Sequence, residues 1–555
     1  MPAYDYPLLI KQLLLTPLAR HVPSKIAFRD VWSYDYPTFR QRIGRLGSAL
    51  ASLGIAHGDT VAVMDWDTPR YLETYFAVPM SGATLQTVNV RLSPEQIVYT
   101  LNHAAARVVI CNVDFAPLLE SIRGSLTTVD KIVWATDAAT PGHPAAIASE
   151  LRGDGEYEAL LAAGDPACVF PDFDENTRAT IFYTTGTTGL PKGVSFTHRQ
   201  LVLHTLAGCT SLGVTAESRY MPMTPMFHVH AWGVPYMMTM MGCNQIYPGR
   251  YLPDVLLSLI GKERITFSHG VPTLVQMILN APGSADVDMR GMRVVIGGSA
   301  LPRALCEAGL ARGLDIVGGY GMSETCPLVS VTQVNADRIA SHDEEVRLRM
   351  KAGMAGPLVD LRVVDEEMHD LPHDGKSAGE IVVRAPWLTR GYHGNPEATE
   401  ALWFGGYLHT QDIGTIDPSG YLTITDRIKD VIKTGGEWVS SLDLESLIGQ
   451  CPGIAECAVI GVPDAKWGER PLAICSLKPG AGATAEQIKA FVLEHAERGT
   501  VSKFAVPGSV HFVDVIDKTS VGKLDKKALR AKFAPAGTTG AASMELTAPA
   551  SGASR

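Results

Sequence analysis

Between Tyr183 and Gly193 the chain reads Tyr-Thr-Thr-Gly-Thr-Thr-Gly-Leu-Pro-Lys-Gly, which brings Thr184, Thr185, Gly186, Thr187, Thr188, Gly189 and Lys192 into one short stretch. It follows the apolar run Ala179-Thr180-Ile181-Phe182, which predicts a strand, so hydroxyls and bare backbone N–H groups cluster at a strand end. This is chemistry for gripping a polyphosphate: glycine admits backbone donors close to an anion, threonine adds hydroxyl donors, and Lys192 brings a positive charge. A Walker A loop needs glycine, four residues, then Gly-Lys-Ser/Thr, whereas here Gly189 precedes Leu190-Pro191-Lys192-Gly193. A P-loop kinase or GTPase is therefore disfavoured.

Two more glycine-rich stretches read as strands running into turns. Arg293-Val294-Val295-Ile296 leads into Gly297-Gly298-Ser299, and Leu314-Asp315-Ile316-Val317 leads into Gly318-Gly319-Tyr320-Gly321-Met322-Ser323-Glu324-Thr325. Further on come Gly406-Tyr407-Leu408-His409-Thr410-Gln411-Asp412, then Asp426-Arg427-Ile428-Lys429-Asp430-Val431-Ile432-Lys433-Thr434-Gly435-Gly436-Glu437, and finally Asp517-Lys518-Thr519-Ser520-Val521-Gly522-Lys523. Taken singly, each has an ordinary explanation as a tight turn, a capped turn, a charged linker or a surface lysine.

Together and in this order these motifs resemble those of the adenylate-forming superfamily, which holds acyl-CoA synthetases, luciferases and peptide-synthetase adenylation domains. The resemblance covers roughly residues 20 to 532. Within it, Met226-Phe227-His228-Val229-His230-Ala231-Trp232-Gly233 and Gly435-Gly436-Glu437-Trp438-Val439-Ser440-Ser441 look most like bacterial medium-chain acyl-CoA synthetases and 3-methylthiopropionate-CoA ligases. Three departures stand out: Gln411 replaces the usual glycine, Tyr407 a common tryptophan, and Asp517 the usual proline.

The resemblance implies an AMP-forming ligase that joins a carboxylic acid to coenzyme A in two half-reactions, with Mg²⁺ as cofactor and ATP and CoA as co-substrates. Thr184, Thr185, Gly186, Thr187, Thr188 and Lys192 would hold phosphates, with Thr184 taking part in catalysis. Tyr320, flanked by Gly319 and Gly321, would stack on adenine, Thr325 would hold the α-phosphate, and Glu324 would ligate magnesium, which favours hard oxygen ligands. Asp412 would accept hydrogen bonds from the ribose hydroxyls, and Arg427 would reach ribose or phosphate. Lys523 would be the catalytic lysine of the first half-reaction. Lys429 would be the pivot between the two half-reactions, and Lys433, Gly435, Gly436 and Glu437 would border the CoA path. His228, also implicated in catalysis, would line the acyl site with Trp232, Gly297, Gly298 and Ser299. His228 and Trp232 share a face if their segment is helical, and the two glycines leave room opposite. Neither segment carries a charge to pair with a second carboxylate or an amine. A neutral acid of short to medium length, straight, thioether-bearing or with a small ring, is the expected substrate. An aryl- or cyclic-acid ligase, an adenylation-only protein, a luciferase-like oxygenase and a non-catalytic nucleotide-binding protein are the alternatives; retention of Glu324, Asp412 and Lys523 together opposes the last.

The elements that must position these residues show an α/β rhythm. Phe39, Ile43, Leu46, Leu50 and Leu53 step by helical spacing up to Gly54, Thr60-Val61-Ala62-Val63 predicts a strand, Leu72, Tyr75 and Phe76 mark a helix, and Val108-Val109-Ile110-Cys111 a further strand. The expected fold is a large N-terminal domain over residues 1–428, of doubly wound sheets with helices on both faces, and a small mobile α+β C-terminal domain over residues 429–533. Asp137 to Glu156 reads as a surface connection, and residues 534–555 as a disordered tail.

A net charge of −10 argues against broad nucleic-acid binding. Nine scattered cysteines without C-x-x-C or zinc spacing suit a reducing cytoplasm. No amino-terminal signal and no transmembrane stretch are evident, and a homodimer is a compatible assembly.

Overall fold

The computed structural model describes residues 4–20, 23–136, 152–184, 190–335, 339–434, 437–498, 501–519 and 523–534, with Glu437 and Trp438 described by backbone alone. They group into two compact units. One runs to Lys429 and includes Lys518–Lys523; the other runs from Asp430 to Asp517 and resumes at Leu524. The segment Lys518–Lys523 thus groups with the first unit, whereas the sequence places it in the C-terminal domain expected over residues 429–533.

The first unit is built on two mostly parallel sheets. One has seven strands in the order Gly155–Glu156, Lys131–Ala135, Ala106–Asn112, Thr60–Met64, Thr84–Thr87, Arg178–Tyr183 and Gly193–Thr197, parallel except for the last pair. The strand Thr60–Met64 is buried at every residue, as a strand covered on both faces must be. The helix Tyr36–Ser52 begins where Asp35 accepts the Thr38 N–H at 2.8 Å and Pro37 sits in the first turn, and it buries Phe39, Ile43, Leu46 and Leu50. Gly155–Glu156 forms the edge strand on Lys131–Ala135, so the connection expected from 137 to 156 ends earlier than its composition suggested. The other sheet has nine strands, with Asp315–Gly321, Arg293–Ile296, Phe267–Gly270, Arg219–Tyr220, Asn244–Tyr247 and Lys25–Phe28 running parallel at its centre.

A third, antiparallel sheet was not foreseen. Asp360–Val364, Gly379–Arg384, Tyr407–Ile416 and Trp403–Phe404 form it, with Leu422–Arg427 on Tyr407–Ile416. Each of these strands pairs antiparallel with its neighbour, and the intervening helix Pro396–Leu402 makes no parallel crossover. Gln411 lies in this sheet at φ 59°. It holds the left-handed conformation that glycine adopts with less strain, so the replacement leaves the course of the backbone available.

The glycines from 318 to 321 do not form the expected turn. The strand Asp315–Gly321 continues through them and pairs antiparallel with Leu328–Val331. Their reason is close approach: a Cβ on Gly318 would lie 2.3 Å from the Lys351 carbonyl oxygen, and one on Gly321 would lie 1.7 Å from that of Pro327. The turn falls later, at Ser323–Thr325.

In the second unit, Gly468–Leu477 pairs with Ile454–Asp464, Ile432–Thr434 and Ser509–Phe512, and Glu437–Val439 extends the sheet. The helix Ala485–Glu497 opens on the expected Thr484/Gln487 capping box and buries Ile488 and Val492. Lys526 and Arg530, on the helix Lys526–Phe533, pair with Glu445 at 2.8 Å and Asp430 at 2.7 Å. Among the described residues no helix is long and apolar enough to cross a membrane.

Because the hairpin 315–331 closes only around a residue without a side chain, Gly321→Ala should destabilise the protein by about 3 kcal/mol. The check is the urea unfolding midpoint of the ligand-free protein, which should fall clearly below wild type.

Candidate active site

The strand Arg178–Tyr183 delivers the threonine-rich loop to the end of its sheet, and Gly193–Thr197 carries the chain away antiparallel to it. The Thr184 N–H donates to the Lys192 carbonyl at 2.9 Å and closes the loop at its base. Thr185, Gly186, Thr187 and Thr188 lie outside the described residues. The Lys192 ammonium sits 4.7 Å from the centroid of the Tyr392 ring, a cation–π arrangement.

Glu324 is buried in the turn after the Asp315–Gly321 strand. The Tyr392 hydroxyl donates to its Oε1 at 2.6 Å, and the Thr389 N–H donates to its carbonyl at 2.9 Å. Burial raises its carboxyl above the ordinary range, while Tyr392, Arg427 and Lys192 favour the ionised form. Among the described residues no other side chain donates to the carboxylate. An oriented carboxylate with an oxygen to spare suits Mg²⁺, which binds one or two carboxylates together with substrate phosphates. The Thr325 hydroxyl is engaged within its own turn. It donates to the carbonyls of Pro327 and Met322 and accepts from the Met322 N–H, in a residue 1% exposed. Its work in this structure is to close the turn that presents Glu324.

The antiparallel sheet positions the second carboxylate. Asp412 accepts from the Tyr320 hydroxyl at 2.7 Å and pairs with Arg427 Nε at 3.2 Å across the strand pair. Burial raises its carboxyl, opposed chiefly by Arg427 and then by Tyr320 and Lys523. Burial and the neighbouring Arg427 lower the Lys523 ammonium to about 8, while Asp412 and Glu324 act to raise it. Lys192, Glu324, Asp412, Arg427 and Lys523 are therefore linked by contact or by charge, although the chain places them more than three hundred residues apart at the extremes.

The acyl candidates differ most from expectation. Val229, His230, Ala231, Trp232 and Gly233 have φ of 47°, 55°, 46°, 59° and 71°, so the segment is a left-handed turn, and right-handed helix spacing does not relate His228 to Trp232. Such residues cost roughly 1–2 kcal/mol each. The fully buried His230 ring anchors the turn among Tyr75, Phe182, Phe196 and Tyr236. Gly297 does not leave open room: a Cβ there would lie 2.8 Å from Trp232 Cη2, so the indole fills that space. The exposed Gly298, at φ 78°, has Lys523 Cε 3.3 Å from where a Cβ would stand, and Ser299 is exposed beside it. Burial, then Lys523 and Arg91, push the His228 imidazole down to about 3, so it is neutral at physiological pH.

Four residues here carried no readable signal. Tyr392 contacts Lys192 and Glu324. The His269 ring lies 4.9 Å from that of Trp232 and is itself held by the Tyr220 and Thr224 hydroxyls. Asp67 accepts the Met226 N–H at 2.8 Å and the Tyr251 hydroxyl, tethering the start of the acyl segment. Arg91 stands 5.8 Å from the Phe227 ring centroid, so a cation from outside both acyl segments approaches them. A composition pattern could not have found these, because each acts on a partner distant in sequence. Of the CoA and hinge candidates, Lys429 is exposed and ends the first unit. Lys433 and Glu437 lie on paired strands of the second unit, where the Lys433 N–H donates to Glu469 at 2.9 Å. Gly435 and Gly436 lie outside the described residues.

The sequence matches the AMP-binding enzyme family over residues 17–393 and the AMP-binding enzyme C-terminal domain over residues 443–523. A long-chain-fatty-acid–CoA ligase of Thermus thermophilus is 40% identical over 520 residues, covering 93% of each chain. A 3-methylmercaptopropionyl-CoA ligase of Ruegeria pomeroyi is 37% identical over 541 residues, covering 95% of this chain and 98% of that one. Among solved structures, that of the anthranilate CoA ligase AuaEII in complex with anthranoyl-AMP has a TM-score of 0.83 at 25% identity, covering 96% of this chain and 99% of that one. The chain belongs to the AMP-binding enzyme family and is an AMP-forming acyl-CoA ligase within it.

Proposed function

We propose that the enzyme activates a neutral carboxylic acid of short to medium length with Mg²⁺-ATP and transfers the acyl group to coenzyme A. One observation carries this reading: Gly297 and Gly298, adjacent at a strand end, receive the Trp232 indole and the Lys523 side chain respectively. An apolar wall and a cation therefore stand side by side, as an acid with its tail on one and its carboxylate near the other requires. The similar proteins act on acids as different as a long fatty acid and a short thioether, so likeness does not choose the tail.

In the first half-reaction the carboxylate attacks the α-phosphate and pyrophosphate leaves, giving acyl-AMP. Two anions must meet, so catalysis depends on positive charge at the attacking and bridging oxygens. Lys523 would supply it, with Lys192 holding phosphates and Asp412 the ribose. Mg²⁺, held by Glu324, would neutralise phosphate charge when bound. His228, neutral, would orient the acid by hydrogen bonding rather than by charge. In the second half-reaction the CoA thiol displaces AMP, with Lys429 the proposed pivot and Gly435 on the thiol's path. All nine cysteines are free thiols, which supports a reducing cytoplasm as the compartment.

The test is a panel of carboxylates assayed for pyrophosphate release and then for CoA consumption. Release with no acid in the panel would overturn the reading. Lys523→Ala should slow pyrophosphate release on the order of a thousandfold, while thioester formation from presynthesised acyl-AMP persists.

With a folded-state value of about 8, Lys523 is protonated below that pH and loses its charge above it. The kcat/KM for pyrophosphate release, which reports the free enzyme, should therefore fall on the alkaline side of about pH 8. Lys523→Arg keeps its charge and should move that fall to higher pH.

Trp232→Ala opens the space above Gly297, so preference should shift toward longer acids, with each added buried CH₂ contributing about 0.8 kcal/mol to kcat/KM. An unchanged chain-length profile would exclude the indole as the wall.

A further inference from the structure

Tyr392 lies outside every motif discussed above, yet it contacts both charged ends of the phosphate site. Its hydroxyl donates to Glu324 at 2.6 Å, and the Lys192 ammonium stands 4.7 Å from its ring centroid. Lys192 is near enough to stabilise the Glu324 carboxylate, but among the described residues no direct ion pair joins them. Opposite charges in a site of low dielectric constant attract strongly. Left to themselves they would close on each other. Each instead has its own partner on one side chain: the cation takes the ring face, and the carboxylate takes the phenol proton.

The backbone around Tyr392 is tied on both sides. Its N–H donates to Thr399 Oγ at 2.9 Å, the His393 N–H donates to the Gly193 carbonyl at 2.8 Å, and Tyr392 bridges Val194. The Thr389 hydroxyl reaches the Ser195 carbonyl at 3.0 Å, while the Thr389 N–H holds the Glu324 carbonyl. One short segment thus joins the strand following Lys192 to the turn bearing Glu324.

We propose that Tyr392 is a positioning residue that keeps Lys192 and Glu324 apart, holding the ammonium for the phosphates and the carboxylate for the metal of the bound nucleotide. The inference rests on the proposed roles of Lys192 and Glu324 in the ligase reaction. Without the phenol, Glu324 turns to Lys192, and a metal-nucleotide must break that pair before it can bind. The adenine and ribose end, served by Tyr320 and Asp412, is not involved.

The experiment compares wild type and Tyr392→Phe, which keeps the ring and its packing, by calorimetric titration of the full chain with Mn²⁺–α,β-methylene-ATP and separately with AMP. Loss of a partner that orients a metal ligand typically weakens metal binding by about 10- to 100-fold. The Mn²⁺-nucleotide Kd should rise by about tenfold or more in Tyr392→Phe, and the AMP Kd should stay within about twofold. Unchanged Mn²⁺-nucleotide binding would overturn the inference. Equal weakening of both ligands would also overturn it, because the hydroxyl would then support the fold rather than the charges. Failure of the wild type itself to bind the Mn²⁺-nucleotide would instead count against the roles assigned to Lys192 and Glu324.

Discussion

The arrangement of this site depends on keeping opposite charges close without letting them neutralise one another. Glu324 and Asp412 are each 6% exposed, and burial raises both carboxyls. Each is met by a tyrosine hydroxyl, Tyr392 at 2.6 Å and Tyr320 at 2.7 Å. A phenol orients a carboxylate without adding a counter-charge. Among the described residues Lys192 and Lys523 therefore stand near the carboxylates with no direct ion pair to them, whereas Arg427 pairs directly with Asp412 at 3.2 Å. A carboxylate buried without such donors would tend to take up a proton and lose its use as a ligand.

The scaffold makes this possible by bringing backbones unusually close. Glycine at 321 lets the chain fold back against Pro327 after the strand Asp315–Gly321, and glycine at 318 admits the Lys351 carbonyl beside that strand. The strand pair of the antiparallel sheet sets Arg427 opposite Asp412. Neither arrangement follows from the parallel α/β core. They are additions at its strand ends, where open sheets of this class hold ligands.

On the acyl side the constraint is steric. The left-handed turn from Val229 to Gly233 holds four non-glycine residues at positive φ, and the aromatic socket around His230 is what keeps them there. That turn delivers Trp232 onto Gly297 and against His269. Strain retained at one segment by tight packing around it often marks a functional wall. The His228 imidazole next to it, neutral at physiological pH, adds no charge beside Lys523.

Much of this architecture was legible in the sequence. Hydrophobic periodicity marked the helix Tyr36–Ser52 and the strands Thr60–Met64, Ala106–Asn112 and Arg293–Ile296, because burial on a sheet or a helix face leaves a local repeat in the residues. The Thr/Gly/Lys stretch was visible because phosphate chemistry needs particular residue types at short spacing, while the paired glycines and Lys523 were picked out through the family resemblance carried by the order of the motifs along the chain. What only the tertiary structure decided is every pairing between residues distant in sequence: Tyr392 with Glu324 and Lys192, Tyr320 with Asp412, His269 with Trp232, and Asp67 with Met226. The direction of the chain at Val229–Gly233 and the extension of a strand through Gly318–Gly321 belong to the same class. Both are imposed by packing partners elsewhere in the fold, and local propensity, which a sequence pattern reads, favours the opposite choice at each.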